Sequence, residues 1–368
     1  MFLRRHRTLF VSLTAAVALA TPVLVPSANA VSISAAVPAA ASGTVVTSIA
    51  TGFDFTCAVL KSARVKCWGG NTVGQLAAGD TTYRGDDAHE MGDFLTTVDL
   101  GVGRTVKSLV VGGSHACAIL DKGTLKCWGG NDSGQLGLGG TNHRGDNGRE
   151  MGNDLRTVRL GAGRRAKSIA AGESHTCAIL DNGTVKCWGL NVQGQLGLGD
   201  TSNRGDEAGE MGDDLATVNL GAGRRAKVIA AGRFHTCAIL DNGSVKCWGL
   251  NDRGQLGLGD TSNRGDALGE MGSALQVVDL GAGRKAKAIG VGSKHTCALL
   301  DNGTVKCWGW GASGQLGLGE GATRGDGSGE MGNLLPAVDL GAGRKVKVLA
   351  VGGIHNCAIL DNGSVKCW

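Results

Sequence analysis

The sequence lacks the motifs by which many enzymes are recognised. Its 368 residues contain no zinc-protease HExxH pattern, no GxSxG nucleophile elbow and no phosphate-binding loop. The Leu- and Ala-rich amphipathic stretches that a helical repeat array needs are also missing. We therefore predict a protein that is not an enzyme and that binds no cofactor.

A large excess of charge of one sign is missing as well. Removing residues 1–30 takes away three arginines and no acidic residue, so the formal net charge falls from +5 to +2. A chain so nearly neutral gives no reason to expect nucleic acid or an anionic membrane as its partner.

Only one long apolar run is present, and it lies at the amino terminus. Arg4 and Arg5 precede the run Thr8 to Val25, and Ala28-Asn29-Ala30 follows it as a small-x-small cleavage site. This order predicts a signal peptide over residues 1–30. We expect a protein without membrane insertion that is extracellular, either secreted or attached to the cell surface.

Tyrosine occurs once, whereas glycine fills 64 positions without a collagen period, which favours many tight turns over helices. The chain repeats every sixty residues. One unit offers four short extended segments between glycines, at Thr217–Leu220, Ala226–Ala231, His235–Leu240 and Ser244–Trp248. Four strands in such a repeat are typical of a propeller blade.

The predicted fold class is therefore an all-β propeller of 60-residue repeats over residues 45–368. Six blades are visible, and the alternative is a seven-bladed ring of which this sequence is a fragment. Residues 31–44 form an N-terminal segment in which Val31–Val37 could supply a strand that closes the ring. We expect a monomer.

Each repeat holds two cysteines ten positions apart around a turn such as Asp181-Asn182-Gly183. A three-residue hairpin loop there pairs Leu180 with Thr184 and places Cys177 opposite Cys187, at a separation compatible with a disulfide. One hairpin supplies too few ligands for zinc, and the export signal favours oxidation. We predict one disulfide per blade and no metal site. The pairs are Cys57–Cys67, Cys117–Cys127, Cys177–Cys187, Cys237–Cys247, Cys297–Cys307 and Cys357–Cys367.

The first hairpin departs from this pattern because its loop is Lys61-Ser62-Ala63, without glycine. Ala63 would be strained in the same turn. Phe55 also replaces the histidine of the other repeats, and Ala77 replaces a glycine. We expect the first blade to be the least regular.

The stretch GESHTCAILDNGTVKCWGLNVQGQLG, residues 172–197, resembles the repeat of the regulator of chromosome condensation family. The resemblance covers nearly the whole mature chain and implies a β-propeller, usually seven-bladed. It is nearest to the secreted bacterial type, similar in architecture to β-lactamase inhibitory protein II, which binds an enzyme through one face. The nuclear founding member implies guanine-nucleotide exchange as an alternative, but an exported chain does not meet cytosolic GTPases.

The repeats differ from one another mainly at one rim, in the residues before the histidine and after Trp-Gly. Divergent positions that include Trp and Arg are typical of a protein interface, although relaxed loop drift would vary there too. We predict that an unknown protein binds this rim. The candidate contacts are Phe53, Glu173, Leu190, Arg233, Phe234, Leu250, Arg253, Lys294, Trp310 and Ile354.

One histidine and one tryptophan recur in the repeats, for example His175 and Trp188. The histidines lie on separate blades, so we expect structural hydrogen bonds to neighbouring backbone rather than a metal site. The tryptophans should point away from the disulfides and pack between blades.

A long loop, residues 197–217 in the third repeat, carries Arg204-Gly205-Asp206, and each full copy has the same tripeptide. An adhesin that uses these loops is an alternative function, although Arg204 could simply pin the loop through Asp206 or Glu210. The loop's acidic residues could hold calcium, but their spacing misses the EF-hand pattern.

Overall fold

The computed structural model describes residues 30–31 and 45–368, and short antiparallel strands build this part of the chain. Six three-stranded sheets, which we number as blades 1–6, follow one another in sequence, and a two-residue strand β1 (Ala30–Val31) extends the first. One 3-10 turn (Gly332–Leu334) is the only helical element of the described residues. The prediction of an all-β propeller with six visible blades is confirmed.

Each blade contains a first, a middle and a third strand. In blades 1–3 they are β2 (Val46–Thr51), β3 (Phe55–Leu60), β4 (Val65–Gly69), β5 (Val106–Val111), β6 (His115–Leu120), β7 (Leu125–Gly129), β8 (Ala166–Ala171), β9 (His175–Leu180) and β10 (Val185–Gly189). In blades 4–6 they are β11 (Ala226–Ala231), β12 (His235–Leu240), β13 (Val245–Gly249), β14 (Ala286–Val291), β15 (His295–Leu300), β16 (Val305–Gly309), β17 (Val346–Val351), β18 (Asn356–Leu360) and β19 (Val365–Cys367). From blade 1 to blade 6, the first strands of successive blades approach each other to within 8 Å between Cα atoms, which places these strands nearest the propeller axis.

The first of the four predicted segments, Thr217–Leu220, does not pair with a neighbouring strand as part of the sheet. Val218 N–H donates one hydrogen bond of 2.9 Å to the carbonyl of Val185, at the outer edge of the preceding blade. Val218 and Leu220 are buried against the next blade, so apolar packing holds the segment extended where a ladder was expected.

The hairpins have the predicted register. Cys177 lies opposite Cys187, and the turn closes with a 2.9 Å bond from Gly183 N–H to the carbonyl of Leu180. All six predicted disulfides are formed, with Cα–Cα distances of 4.0–4.1 Å. The cysteines sit at a non-hydrogen-bonded position, where antiparallel backbones come closest.

The core consists of one apolar cluster at each junction between consecutive blades. Between blades 3 and 4, Cys177, Ile179 and Val185 pack against Ile229 and Trp248. The disulfide face of one blade therefore meets the tryptophan face of the next, as predicted for both residue types.

Blade 1 departs from the others in backbone conformation, since three of the four non-glycine residues with positive φ in the described chain belong to its repeat, but its strands are regular. Ala63 adopts the left-handed φ of 59° that Gly183 has in blade 3, at 81°, and the hairpin keeps its register. Blade 6 has the shortest strands instead, and Val365 in its third strand is 62% exposed. Within the described residues no segment covers that strand, whereas Val338 bonds to the third strand of blade 5.

At the amino terminus, Ala30 pairs with Ala50 and Val31 with Ile49 on the first strand of blade 1. The rest of the proposed closing strand, Val31–Val37, and residues 1–29 of the signal peptide lie outside the described residues, so both remain predictions. Among the described residues, no helix is both long and apolar enough to cross a bilayer.

Candidate protein-binding face

The ten candidate contacts lie at one end of the propeller, where the first strand of each blade turns into the middle strand. The turn before the middle strand also bonds to the loop that follows Trp-Gly. Leu250 N–H donates to the carbonyl of Phe234 at 2.9 Å, and Trp310 N–H donates to Lys294 at 2.8 Å. We call this end of the molecule the rim face, and define it by those two sets of loops.

A cavity of about 340 Å³ opens at the centre of the rim face. Residues from all six blades line it, among them Phe53, Glu173, Arg233, Ser293 and His355. Backbone bonds join the lining loops of successive blades: Glu173 N–H donates to Gly232 at 3.2 Å, and Ser293 N–H donates to Gly353 at 2.9 Å. These bonds link the lining loops of blades 1–4 to one another, and the loop of blade 5 to that of blade 6.

Apolar side chains stand exposed around this cavity. Phe53 is 68% exposed and Ile354 is 55% exposed. Leu190, Leu250 and Trp310, in the loops that follow Trp-Gly, are half-buried and do not line the cavity. An exposed aromatic at the edge of a depression is typical of a surface that another molecule covers.

The charged residues of the rim face are held in fixed pairs. Arg233 forms an ion pair with Glu173 of the preceding blade, and its guanidinium lies 5.1 Å from the centre of the Phe234 ring. Lys294 bonds to Asp252 at 2.5 Å across another junction, and Arg253 lies beside the same carboxylate. Burial raises the pKa of Asp252, but hydrogen bonds from Lys294 and Gln255 outweigh this effect and hold the pKa below its ordinary value.

Buried amides set the shape of the rim loops. In blade 3 the Asn191 side chain accepts from Leu196 N–H at 2.9 Å and donates to the carbonyl of Asp200 at 2.8 Å. Gln195 accepts from Gln193 N–H at 2.9 Å. The variable positions between them are thus carried on a fixed backbone, which is the arrangement of a binding surface on a rigid scaffold.

The recurring histidines are structural, but their partners differ from those predicted. His175 Nε2 bonds to the hydroxyl of Thr236 in the next blade at 2.9 Å, not to backbone. Burial lowers the pKa of His175 to about 3, so the ring is neutral. The threonine partner is a structural residue that could not be identified from the sequence of one repeat.

The Arg-Gly-Asp loop of blade 3 is used internally, whereas Gly85 and Asp86 of the first copy are exposed. Arg204 bonds to Asp200 at 2.6 Å, a partner not predicted, and its backbone pairs with Gly189. Gly205 is buried, and its N–H donates to Glu210 at 2.8 Å. No group of three or more His, Cys, Asp or Glu side chains is arranged to hold a metal ion within residues 30–31 and 45–368.

Comparison with known proteins agrees with this architecture. Residues 38–368 match the model of the RCC1-like domain, the repeat of the regulator of chromosome condensation family. The chain is 32% identical over 278 residues to the ultraviolet-B receptor UVR8 of Arabidopsis thaliana, covering 74% of this chain and 55% of that protein. It is 31% identical over 222 residues to the probable E3 ubiquitin-protein ligase HERC4 of Homo sapiens, covering 60% of this chain and 19% of that protein.

Solved structures show the same fold. Prp20 from Saccharomyces cerevisiae superimposes with a TM-score of 0.65 at 22% identity, covering 88% of this chain and 71% of that one. Human WBSCR16 gives a TM-score of 0.63 at 19% identity, with coverages of 87% and 75%. The chain spans about half the length of UVR8 and less of HERC4. The match over residues 38–368 shows that the chain belongs to the RCC1-like domain family, and the solved structures share its β-propeller fold.

Proposed function

We propose that this protein is a secreted, non-catalytic propeller that binds another protein through its rim face. The observation that carries the proposal is the central cavity, whose lining comes from all six blades and includes three of the divergent candidate positions, Phe53, Glu173 and Arg233. Repeats that keep their core and differ mainly at one rim favour a surface shaped for a particular partner.

The rim face has the composition of an interface anchor. Phe53 and Ile354 offer exposed apolar area, and the Arg233 guanidinium is already ordered by Glu173 and Phe234. Side chains ordered before binding lose less conformational entropy when a partner docks. Aromatic residues and arginine are also the residue types that most often dominate binding energy.

The disulfides support an extracellular setting. Six bridges are formed and none of the twelve cysteines is free. Such bridges persist in oxidising compartments and are rare in the cytosol. Together with the predicted signal peptide, they support secretion.

The two alternative functions fit less well. An adhesin would need accessible Arg-Gly-Asp tripeptides. Arg204 is paired with Asp200 and Gly205 is buried, as is the equivalent glycine of every other copy except the first, where Gly85 and Asp86 are exposed. Among the proteins of similar fold, yeast Prp20 has binding properties towards Gsp1p and histones. Carrying an exchange activity over from such a relative would rest on the fold alone, and a disulfide-rich chain does not suit a cytosolic GTPase.

The proposal is tested by chemical crosslinking of the purified oxidised protein in culture supernatant of its source. A variant with Arg233→Ala, Phe234→Ala and Trp310→Ala should lose at least nine-tenths of any specifically crosslinked protein. The losses expected for truncated anchor residues at an interface are large enough for this. The captured protein should then bind the purified propeller in isolation.

A matched control removes three apolar side chains away from the rim face. Val102, Val277 and Leu334 are 86%, 51% and 73% exposed, and their triple alanine variant should capture the partner unchanged. Equal loss in both variants, or no loss in the rim variant, would show that the rim face is not the binding surface.

A further inference from the structure

A row of lysines marks the end of the propeller opposite the rim face. The first strands of blades 2–6 each carry an exposed lysine at their second position, in the β-bulge next to the hairpin turn. The five are Lys107, Lys167, Lys227, Lys287 and Lys347. Because first strands lie nearest the axis, these lysines follow an arc around it, one per blade.

This arc carries uncompensated positive charge. Within the described residues, none of the five lysines makes an ion pair. The arginine that precedes each lysine by three positions is different, because it is neutralised by the aspartate of its own hairpin turn. Arg164, for example, bonds to Asp181 at 3.2 Å and Arg224 bonds to Asp241 at 3.3 Å.

A second set of cations lies beside the arc. The residues two positions before the lysines in blades 3–6 are Arg165, Arg225, Lys285 and Lys345, all exposed. Their stems lie over the turn glycine of the preceding blade; an added Cβ at Gly183 would come within 3.1 Å of Arg225. Their stems pack while their charged heads reach solvent, which directs them outward from the same end.

We propose that this lysine arc binds a flexible phosphodiester polymer. The arc presents one such lysine per blade, and the first strands of neighbouring blades approach each other to within 8 Å, so a linear polymer with one phosphate per monomer can meet several of these lysines in succession. Lysine on a long flexible stem acts as a point charge for phosphate. Binding would be electrostatic and would release counterions.

The geometry favours a flexible strand over other polyanions. Duplex DNA, with a persistence length of about 50 nm, cannot bend around so tight an arc. Proteins that bind single-stranded nucleic acid add aromatic side chains for base stacking, and the hairpin turns of blades 2–6 and the loops that lead into their first strands contain no Phe, Trp or Tyr. The loop beside each lysine carries Ala162, Ala222, Ala282 or Ala342 in blades 3–6, which offers little apolar area for insertion into a bilayer.

The test measures fluorescence anisotropy of end-labelled synthetic poly(glycerol phosphate) with the full oxidised chain over a range of salt concentrations. The variant K167Q/K227Q/K287Q should bind at least tenfold more weakly at low salt. The slope of log K against log salt should fall by about 2, because each contact with a flexible strand contributes roughly 0.7. These lysines are exposed and make no ion pairs, so thermal unfolding should confirm an unchanged fold.

The matched control removes the same charge from the opposite end, as Arg233→Gln, Arg253→Gln and Lys294→Gln. It should change the affinity less than twofold. Three results would overturn the proposal: no binding of the polymer by the unmodified chain, equal weakening in both variants, or equally tight binding of oligothymidylate or of vesicles containing phosphatidylglycerol.

Discussion

His175 of blade 3 is joined to Thr236 of blade 4 by a 2.9 Å hydrogen bond inside the core. The Thr236 hydroxyl donates its own proton to the carbonyl of Gln195, so it accepts from His175, whose proton must be on Nε2. The same arrangement, which we call the relay, joins each pair of consecutive blades from blade 2 to blade 6, with a threonine or an asparagine as the partner of the histidine.

The junction between blades 1 and 2 lacks both residues of the relay. Phe55 stands where the histidine would be, and Ala116 stands where the next blade would supply the hydroxyl. Both residues belong to the same apolar cluster. An apolar pair thus replaces a polar pair, and neither polar group is left buried without its partner.

This pairing predicts a strong coupling between the two positions. Thr236→Ala removes the acceptor of a buried imidazole N–H and should lower the free energy of unfolding by about 1–3 kcal/mol. The double variant His175→Phe, Thr236→Ala, which copies the first junction, should recover at least half of that loss. Guanidinium unfolding of the two single variants and the double variant measures the coupling.

Thr56 supplies the control, since it holds the same position in blade 1 without such a bond to a histidine among the described residues. Thr56→Ala should change the free energy of unfolding by less than about 0.5 kcal/mol. Additive effects of the His175 and Thr236 substitutions would contradict the relay.

The disulfide pairing could be predicted from the sequence, whereas the hydrogen bonds of the relay could not. Cys177 and Cys187 are neighbours in one hairpin, where turn length alone determines the pairing, so they could be predicted. Thr236 lies 61 residues from His175, in the next repeat, and no local rule connects them. The joint departure of Phe55 and Ala116 at the same spacing was the available signal.

The outer segments and the loops were harder to predict for a related reason. Thr217–Leu220 reads as a strand, yet its pairing depends on how the preceding loop packs against another blade. Arg204 was expected to pair with Asp206 or Glu210, but the loop folds back to bring Asp200 within 2.6 Å. Strand direction was enough to predict that the rim residues lie at the same end of the propeller. The ion pairs between blades could be seen only in the packed structure.

Acid should weaken the fold through the buried histidines. Burial lowers the pKa of His115 to about 4 and those of His175 and His235 to about 3. In the unfolded chain each titrates near 6.5, so below that pH the unfolded state binds protons that the folded state does not. The free energy of unfolding should fall by about 2 kcal/mol per histidine between pH 6.5 and 5.

Replacing one histidine isolates its share of this effect. His175→Gln keeps a donor but does not titrate, so the difference between the unfolding free energies at pH 7 and pH 5 should shrink by about 2 kcal/mol. An undiminished pH dependence in His175→Gln would show that the buried rings are not its source.

A glycine in the hairpin turn of blade 1 should stabilise the protein. Ala63 is held at a φ of 59°, where an L-residue with a Cβ is strained, so Ala63→Gly should raise the free energy of unfolding by about 0.5–1 kcal/mol. Gly183→Ala is the reciprocal change and should lower it, because Gly183 has a φ of 81° and lies under the Arg225 stem. Thermal unfolding of both variants tests the sign; a destabilising Ala63→Gly would refute the strain.

Reduction should proceed blade by blade rather than all at once. Cys367 of the last bridge is exposed, whereas the cysteines of the first five bridges are at most 3% exposed. Thiol–disulfide exchange needs access to a sulfur, so a mild reductant at neutral pH should open Cys357–Cys367 first. Alkylation followed by peptide mass spectrometry reads out the order.

The same comparison separates the two contributions of a bridge. Each closes a loop of equal length, worth roughly 3 kcal/mol on the chain-entropy model. Replacing Cys177 and Cys187 together by alanine should cost more stability than replacing Cys357 and Cys367, because only the former pair also packs in an inter-blade core. Equal costs would mean that the bridges act through the unfolded chain alone, and that their sulfur atoms add nothing to the packing between blades.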